Sequence, residues 1–237
     1  DGFVEVVVGT GQYGAGLDGE DGTICKLNKP TSVFAGENYL YISDTGNDTV
    51  LKYDYSTHLI HRICGIGHAG IPEEGMIAKK APLNKPGGVV VDAEGLIYIN
   101  DIANGVIRRI NHDGIITTYA GNGIYGFNGD GHSPKDTSFN EIYSINIDPA
   151  GENIYIADYL NHRIRKINIA TNVVTTEAGI GISGYEGDGG PPEKARLNRP
   201  VGVCVDNKGN LYIAESGSQC IRVIKKKENV IYTLIGG

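Results

Sequence analysis

Short apolar runs separated by polar turns follow one another along the whole chain and return at a fixed interval. The runs are rich in Val, Ile, Tyr and Thr and are bounded by Gly, Asn and Asp, which is typical of β-strands joined by tight turns. One pattern, Tyr-Ile followed by a small or polar residue and an acid, recurs at residues 41–44, 98–101, 155–158 and 212–215. The closing acids are spaced 57 residues apart each time. The chain is therefore predicted to contain four repeats.

Each repeat is predicted to hold four strands, named a to d in chain order. Examples are strand a at 88–92, strand b at 211–214, strand c at 107–110 and strand d at 115–120. Short Gly- and Asn-containing turns between them favour antiparallel hairpins. A single four-stranded sheet leaves both faces uncovered, whereas sheets stacked around a common axis cover one another. The predicted fold is an all-β β-propeller in one domain, 1–237, with repeats at about 12–67, 68–123, 124–181 and 182–237.

The first eleven residues leave the predicted number of blades open. Residues 6–11 match the end of strand d, since Gly9 precedes Gly65 by the 56 residues that separate Gly65 from Gly121. Four blades need four d strands, and this adds a fifth, predicted as an outer strand of a preceding or closing blade. Either the chain is a segment of a larger ring, for example a six-bladed one, or one terminal strand pairs elsewhere. An open segment would expose apolar blade faces, so self-association is expected.

The repeat motifs resemble those of the NHL repeat family. The resemblance rests on Leu197-Asn198-Arg199-Pro200 and on Asn161-His162-Arg163, with departures at Phe139 and Ile142 in the third unit. It implies a β-propeller. For function it implies a wide choice, because members include protein-binding modules, receptor-kinase sensor domains, RNA-binding domains and related lyases.

Composition narrows the choice of partner. The 237 residues carry 21 Lys and Arg against 28 Asp and Glu, a net charge of −7, which disfavours a general binder of nucleic acid or of anionic membranes. No apolar run approaches the roughly 20 residues of a membrane span, so no membrane insertion is predicted. No signal peptide is visible, and the four cysteines allow either buried thiols or disulfides. The compartment is therefore left unassigned.

A partner-binding site is predicted at one end of the propeller. Because strand direction alternates, the d-to-a connectors and the b-to-c turns lie at the same end, here called the loop-bearing face. Loops on a rigid scaffold often carry recognition residues, and exposed Tyr is favoured at interfaces, although the same aromatics could instead pack over the Gly-rich connectors. The candidate partner-binding residues are Tyr13, Lys29, Thr31, Asn47, Lys85, Asn104, Tyr125, Phe127, Tyr143, Asn161, His162, Tyr185 and Arg199.

Catalytic residues, metal ligands and cofactors are not predicted. The strand-b acids Asp44, Asp101, Asp158 and Glu215 recur once per repeat, which favours bonds to turn backbone over a metal ring. The strand-c residues Arg108, Arg165 and Arg222 are expected to pair with acids or carbonyls between blades. None of the six histidines lies on the inner strand where lyases resembling this family hold zinc.

The predicted function is a non-enzymatic scaffold that binds a protein, peptide or glycan. The alternatives are a lyase- or lactonase-like enzyme with a metal at the central channel, and an RNA-binding NHL domain.

Overall fold

The computed structural model describes residues 2 and 4–237 and contains four four-stranded antiparallel sheets, which confirms the predicted all-β fold. Helical residues are confined to short 3-10 turns, and no helix in the described part of the chain is long and apolar enough to cross a membrane.

Blade 1 contains β1 (Ser32–Ala35), β2 (Tyr39–Asp44), β3 (Thr49–Asp54) and β4 (Ile60–Cys64). Blade 2 contains β5 (Pro86–Val91), β6 (Ile97–Asp101), β7 (Val106–Ile110) and β8 (Ile116–Ala120). Blade 3 contains β9 (Ile142–Ile147), β10 (Asn153–Asp158), β11 (Arg163–Asn168) and β12 (Val173–Ala178). Blade 4 contains β13 (Pro200–Val205), β14 (Leu211–Glu215), β15 (Cys220–Lys225) and β16 (Val230–Gly236).

An aspartate sets the turn from strand a to strand b. In blade 2, Asp92 Oδ1 accepts the backbone N–H groups of Glu94 and Leu96. In blade 4, Asp206 Oδ1 accepts those of Lys208 and Asn210. An Asx side chain that bonds two and four residues ahead closes a tight turn, so the next strand starts antiparallel to the first.

The connectors between blades do more than cross the loop-bearing face. After leaving a blade, each runs along the outer strand of the next blade before it reaches that blade's inner strand. The backbone N–H groups of Gly19, Gly75, Gly131 and Gly189 donate to Ile60, Ile116, Val174 and Ile231 at the start of the outer strands. These bonds cover the outer edge of every blade, a location that would otherwise invite strand pairing. Only the beginning and end of each connector therefore belong to the loop-bearing face.

The hydrophobic core lies between blades. Val89, Ile145 and Val203 occupy the same position on β5, β9 and β13, and each is buried against the preceding blade. The inner strands pack in the series β1, β5, β9, β13. Between β13 and β1, both fully described, no comparable packing exists. The four blades therefore form an open arc rather than a closed ring.

The predicted outer strand at the start of the chain is not formed in the described residues 4–11. Residues 1 and 3 lie outside the described part. One feature of a strand-d end is kept: the Gly9 N–H donates to Gly22 O, as the Gly121 and Gly179 N–H groups donate to residues thirteen positions ahead. A strand needs a neighbour to pair with, and among the sixteen strands of the described residues none pairs with this segment.

The four cysteines are free thiols. Cys25, Cys64 and Cys220 are buried, in line with the buried-thiol alternative. Cys204 departs from it, because this thiol is exposed although apolar residues flank it on strand β13. It points outward from blade 4, the blade that no further blade covers.

Candidate partner-binding face

The strand-b acids fix the geometry of this face. Each is buried and accepts the backbone N–H of the connector Asn that begins the Asn-x-Pro element, which reads Asn-Glu-Ile in blade 3, at 2.6–2.8 Å: Asp44 from Asn28, Asp101 from Asn84, Asp158 from Asn140 and Glu215 from Asn198. The role is structural, as predicted, but the backbone donor lies in the connector rather than in the turn after strand b. Burial raises the pKa of all four carboxyls, that of Asp158 to about 6, while the hydrogen bonds oppose the rise.

Three candidate asparagines are engaged inside the fold. The Nδ2 groups of Asn47, Asn104 and Asn161 donate to the strand-b acid of their own blade. They also donate to a connector carbonyl, that of Gly14, Gly70 or Gly126, at 2.7–2.8 Å. Their amide donors tie the b-to-c turn to the connector. They are therefore left out of the proposed binding surface.

The residue before the proline position is the main outward feature of each repeat. Lys29, Lys85, Glu141 and Arg199 all have a left-handed backbone, with φ from 50° to 59°, and all are exposed. Two of them are held by the turn of the preceding blade, because the Lys85 N–H donates to Asp48 Oδ1 at 2.7 Å and the Arg199 N–H donates to His162 Nδ1 at 3.1 Å. The bond fixes the backbone and leaves the side chain free.

His162 therefore joins blade 3 to blade 4 as a hydrogen-bond acceptor. Its Nδ1 can accept a hydrogen bond only in the neutral imidazole. Burial, followed by the charges of Arg199 and Arg163, lowers the pKa of His162 below its ordinary value of 6.5. All three influences favour the neutral form that the contact requires.

An aromatic platform lies beside this contact. The rings of Tyr143 and Tyr159 stand 4.5 Å apart, and the Arg199 guanidinium lies 5.9 Å from the centre of the Tyr159 ring. Tyr143 and the neighbouring Leu160 are exposed. Tyr143, His162 and Arg199 were candidates from the sequence, whereas Tyr159 was missed because it lies in a turn position that holds Thr, Ile or Ser in the other repeats.

A second group of candidates surrounds a cavity at the blade 1–blade 2 boundary. Lys29, Thr31 and Lys85 line this space of about 340 Å³. The Thr31 and Thr45 hydroxyls share a hydrogen bond of 2.6 Å, and Thr45 Oγ1 donates to Pro86 O across the boundary. Tyr13 lines an adjoining cavity of about 590 Å³ together with Lys29. The structure thus brings together four of the candidates at this end of the arc.

Phe127 and Tyr185 lie against strand-c arginines on the outer flank and keep an exposed side. The Arg163 guanidinium lies 3.8 Å and that of Arg165 lies 4.8 Å from the Phe127 ring centre, and Arg222 lies 5.8 Å from that of Tyr185. These rings cover the strand-c arginines. Tyr125, near the start of its connector, is also exposed, and its ring lies over Gly105 in the b-to-c turn of blade 2.

The strand-c arginines pair within their own blades, so the expectation of pairing between blades was wrong. Arg165 contacts Asp158 at 3.6 Å and the connector's Asp130 at 3.1 Å, and Arg222 is held in the same way by Glu215 and Asp188. Arg108 pairs with Asp101 and Glu74. The connector passes close to strand c because it runs along the outer edge of the same blade, a path that the repeat pattern did not reveal.

A further cavity, larger than the two on the loop-bearing face, lies at the opposite end of the arc and was missed by the sequence reasoning. It measures about 820 Å³ and is lined by the a-to-b turns of several blades, with Phe34, Tyr39, Tyr41, Glu37 and Glu94 among its walls. Phe34 was the available signal, since an aromatic residue there replaces the Val, Asn or Cys of the other inner strands. Asp92 and Asp148 also line it, but both hold a-to-b turns.

The positions at or just inside the start of the inner strands, where related lyases hold zinc, are Thr31-Ser32, Gly87-Gly88, Tyr143-Ser144 and Val201-Gly202. In residues 2 and 4–237, no three His, Cys, Asp or Glu side chains converge as a metal site requires.

Comparison with known proteins gives matches of two kinds. The model of the Teneurin NHL domain matches residues 31–126, and the NHL repeat model matches residues 197–224. Among curated proteins, SUPPRESSOR OF QUENCHING 1, chloroplastic, of Arabidopsis thaliana is 27% identical over 89% of this chain and 21% of its own length. NHL repeat-containing protein 2 of Bos taurus is 24% identical over 89% of this chain and 33% of its own length. The chain thus spans a third or less of these relatives.

Solved structures share the fold at low identity. A streptogramin B lyase structure superposes with a TM-score of 0.51 and 16% identity, covering 88% of this chain and 55% of that chain. A chain of a nidogen/laminin complex superposes with a TM-score of 0.56 and 14% identity, covering 87% of this chain and 67% of that chain.

Proposed function

Because the chain belongs to the NHL repeat family and folds into propeller blades, we propose that it is a non-enzymatic scaffold that binds a protein or peptide through its loop-bearing face. The observation that carries the proposal is the platform of Tyr143, Tyr159 and Arg199, with the exposed Leu160 beside it. Tyr and Arg are the residue types that most often dominate binding energy at protein interfaces. Their rings and guanidinium are already positioned against one another, so little ordering is needed on binding.

The charge of the face favours a partner with acidic groups next to an apolar side chain. Lys29, Lys85 and Arg199 project from three of the four repeats, and their backbones are fixed in the same unusual conformation. Glu141 is the exception and lies two residues before Tyr143 in the chain. A partner that places a carboxylate by Arg199 and an apolar group on Tyr143 would satisfy both features.

The relatives support a binding role without naming a partner. The nidogen/laminin structure is, by its description, a complex of two proteins, and its fold resembles this chain. The streptogramin B lyase likeness keeps an enzyme as the second candidate. A marked thermal stabilisation by Zn²⁺ or Ca²⁺ would favour that enzyme, with a metal at the central channel.

The test uses substitutions that the repeat itself already contains. Tyr143→Val introduces the residue found at position 201, and Arg199→Glu introduces the residue found at 141, so both variants should fold. A displayed library of random peptides is selected on the natural chain, and affinities of the enriched peptides are then measured on each variant. Each substitution should weaken binding by at least about tenfold, or about 1.4 kcal/mol.

Two matched variants control for charge and for face. Lys85→Glu makes the same kind of change on another blade, away from the platform, and should weaken binding less than Arg199→Glu does. Glu94→Lys alters the cavity at the opposite end and should leave the affinity within about twofold. Peptides that bind all four variants equally would contradict the proposal. If the natural chain instead binds only glycans on a parallel array, and Tyr143→Val loses that binding, the loop-bearing face would still be the binding site but the partner would be a glycan.

A further inference from the structure

The outward side of blade 4 is the uncovered half of an interface that the chain builds three times. We call it the tail face, formed by Cys204, Tyr212, Ile221, Leu234 and Ile235. Ile221 is 37% exposed and Ile235 is 64% exposed. The equivalent pair in blade 2, Ile107 and Ala120, is fully buried against blade 3, and so is the pair Ile164 and Ala178 against blade 4. A shallow cavity of about 270 Å³ on this face is lined by both isoleucines.

The matching half lies at the other end of the arc. We call it the head face, formed by Leu27, Pro30, Val33 and Ala35 of blade 1. Val33 is 63% exposed, whereas Val89, Ile145 and Val203 at the same position of the later blades are 2%, 4% and 6% exposed. Pro30 and Ala35 are also exposed, and Pro86 and Pro200 are buried. Position by position, the head face has the residues that blades 2 to 4 press against the blade before them.

A polar contact also recurs at this interface, and residues equivalent to its acceptor and its donor are present on the tail face and the head face. Between blades 1 and 2, Asp48 accepts the Lys85 N–H, and between blades 3 and 4, His162 accepts the Arg199 N–H. Gln219 is the equivalent acceptor of blade 4, with the same left-handed backbone at φ 52° and an exposed side chain. Lys29 is the equivalent donor of blade 1, with φ 50°. Gln219 and Lys29 are therefore suited to each other across a contact between two molecules.

We propose that the tail face of one chain binds the head face of a second copy in the geometry of a blade-to-blade contact. The occupant is argued from continuity, because the head face has the apolar positions, the backbone conformation and the polar donor that the tail face needs. Two different surfaces meet, so the association is heterologous and leaves one free head and one free tail on each dimer. This inference concerns the ends of the arc and does not depend on the function of the loop-bearing face.

The test blocks each face separately by placing a charged side chain on it. Val33→Lys blocks the head face and Ile235→Lys blocks the tail face, and both positions are exposed in the single chain, so folding should not change. By sedimentation, the natural chain should show a mass that rises with concentration above the 25.3 kDa of one chain. Each variant alone should stay at that mass. A mixture of the two should form a one-to-one dimer, because one variant keeps its tail face and the other its head face.

Further measurements distinguish this contact from general stickiness. Ile124→Lys removes a similarly exposed isoleucine (67%) in a connector and should associate as the natural chain does. Thiol labelling of the exposed Cys204 in the Val33→Lys chain should slow when the Ile235→Lys chain is added, since the tail face of Val33→Lys is then covered by the intact head face of Ile235→Lys. Circular dichroism and thermal melting check that each variant is folded. A natural chain that stays monomeric throughout, or variants that self-associate while their mixture forms no one-to-one dimer, would overturn the proposal.

Discussion

A single backbone position accounts for much of what is distinctive at the residue scale. Lys29, Lys85, Glu141 and Arg199 adopt a conformation that side chains seldom take, and two of their N–H groups bond to the turn of the blade before. The acceptor differs, a carboxylate in Asp48 and a neutral imidazole in His162. The imidazole is an acceptor only while it is unprotonated. The boundary between blades 3 and 4 therefore contains a contact whose strength depends on pH.

The contribution of His162 to stability should be lost in mild acid. Because its folded pKa is lowered, the unfolded chain binds the proton first, and the contribution is complete above the ordinary value of 6.5. It decreases as the pH falls from 6.5 through the folded value. The measurement is the free energy of unfolding by urea from pH 8 down to pH 5, for the natural chain and for His162→Asp.

The variant is a matched control, since Asp at this position already accepts a backbone N–H in blade 1. As the pH falls, the natural chain should lose free energy of unfolding relative to the variant. Asp158 has a raised pKa and gives an opposite trend, but it is present in both chains and largely cancels. Parallel pH profiles for the two chains would contradict the role given to His162.

At the scale of the elements, the connectors determine how the outer edge of each blade is covered. The three connectors that link one blade to the next begin at Gly65, Gly121 and Gly179, which have positive φ and lie against a b-to-c turn, and continue along the outer edge of the next blade. At Gly179, φ is +94°, and a Cβ would lie only 2.3 Å from the His162 carbonyl oxygen. Neither the conformation nor the space there suits another residue.

Gly179→Ala should therefore destabilise the chain by about 3 kcal/mol, from backbone strain together with the displaced carbonyl. Gly114→Ala is the matched control, because Gly114 also has positive φ (+72°) but has nothing within 4 Å of the added Cβ. It should cost about 1 kcal/mol, from strain alone. Urea unfolding of both variants measures the difference. Equal losses would show that the close approach to His162 is easily relieved.

The elements also show what the sequence could and could not reveal. The 57-residue interval and the strand composition were sufficient to predict the blades, since both depend on local pattern. The path of the connectors was not predicted, because it depends on bonds such as Gly131 to Val174 that join residues far apart in the chain. For the same reason Phe127 was expected on the loop-bearing face, although it covers Arg165 on the flank. The outer strand at the start of the chain was predicted from pattern alone and lacks the neighbour that would make it a strand.

At the scale of the whole molecule, four equal blades have unequal surroundings. Blades 2 and 3 are packed on both sides, whereas blades 1 and 4 each have one uncovered side. In repeat architectures stability is close to a sum of the units and the contacts between neighbours. The outer blades therefore lack one of the two contacts that hold the inner ones.

Hydrogen exchange should report this inequality. Backbone amides of β5 to β12 should exchange at least about tenfold more slowly than those of β1 to β4 and β13 to β16, which corresponds to about 1.4 kcal/mol of local stability. The measurement is made at low concentration on the Ile235→Lys chain, so that contacts between copies do not contribute. Uniform protection across all sixteen strands would mean that the arc unfolds as one unit despite its open ends.

The residue before the proline position has a consequence for how this surface can diversify. Lysine, glutamate and arginine are all accommodated there, since the scaffold holds only the main chain and leaves the side chain in solvent. Mutation can therefore exchange one charge for another at four evenly repeated points with little cost to folding. A protein built in this way can acquire new specificities by changes that selection on stability would hardly notice.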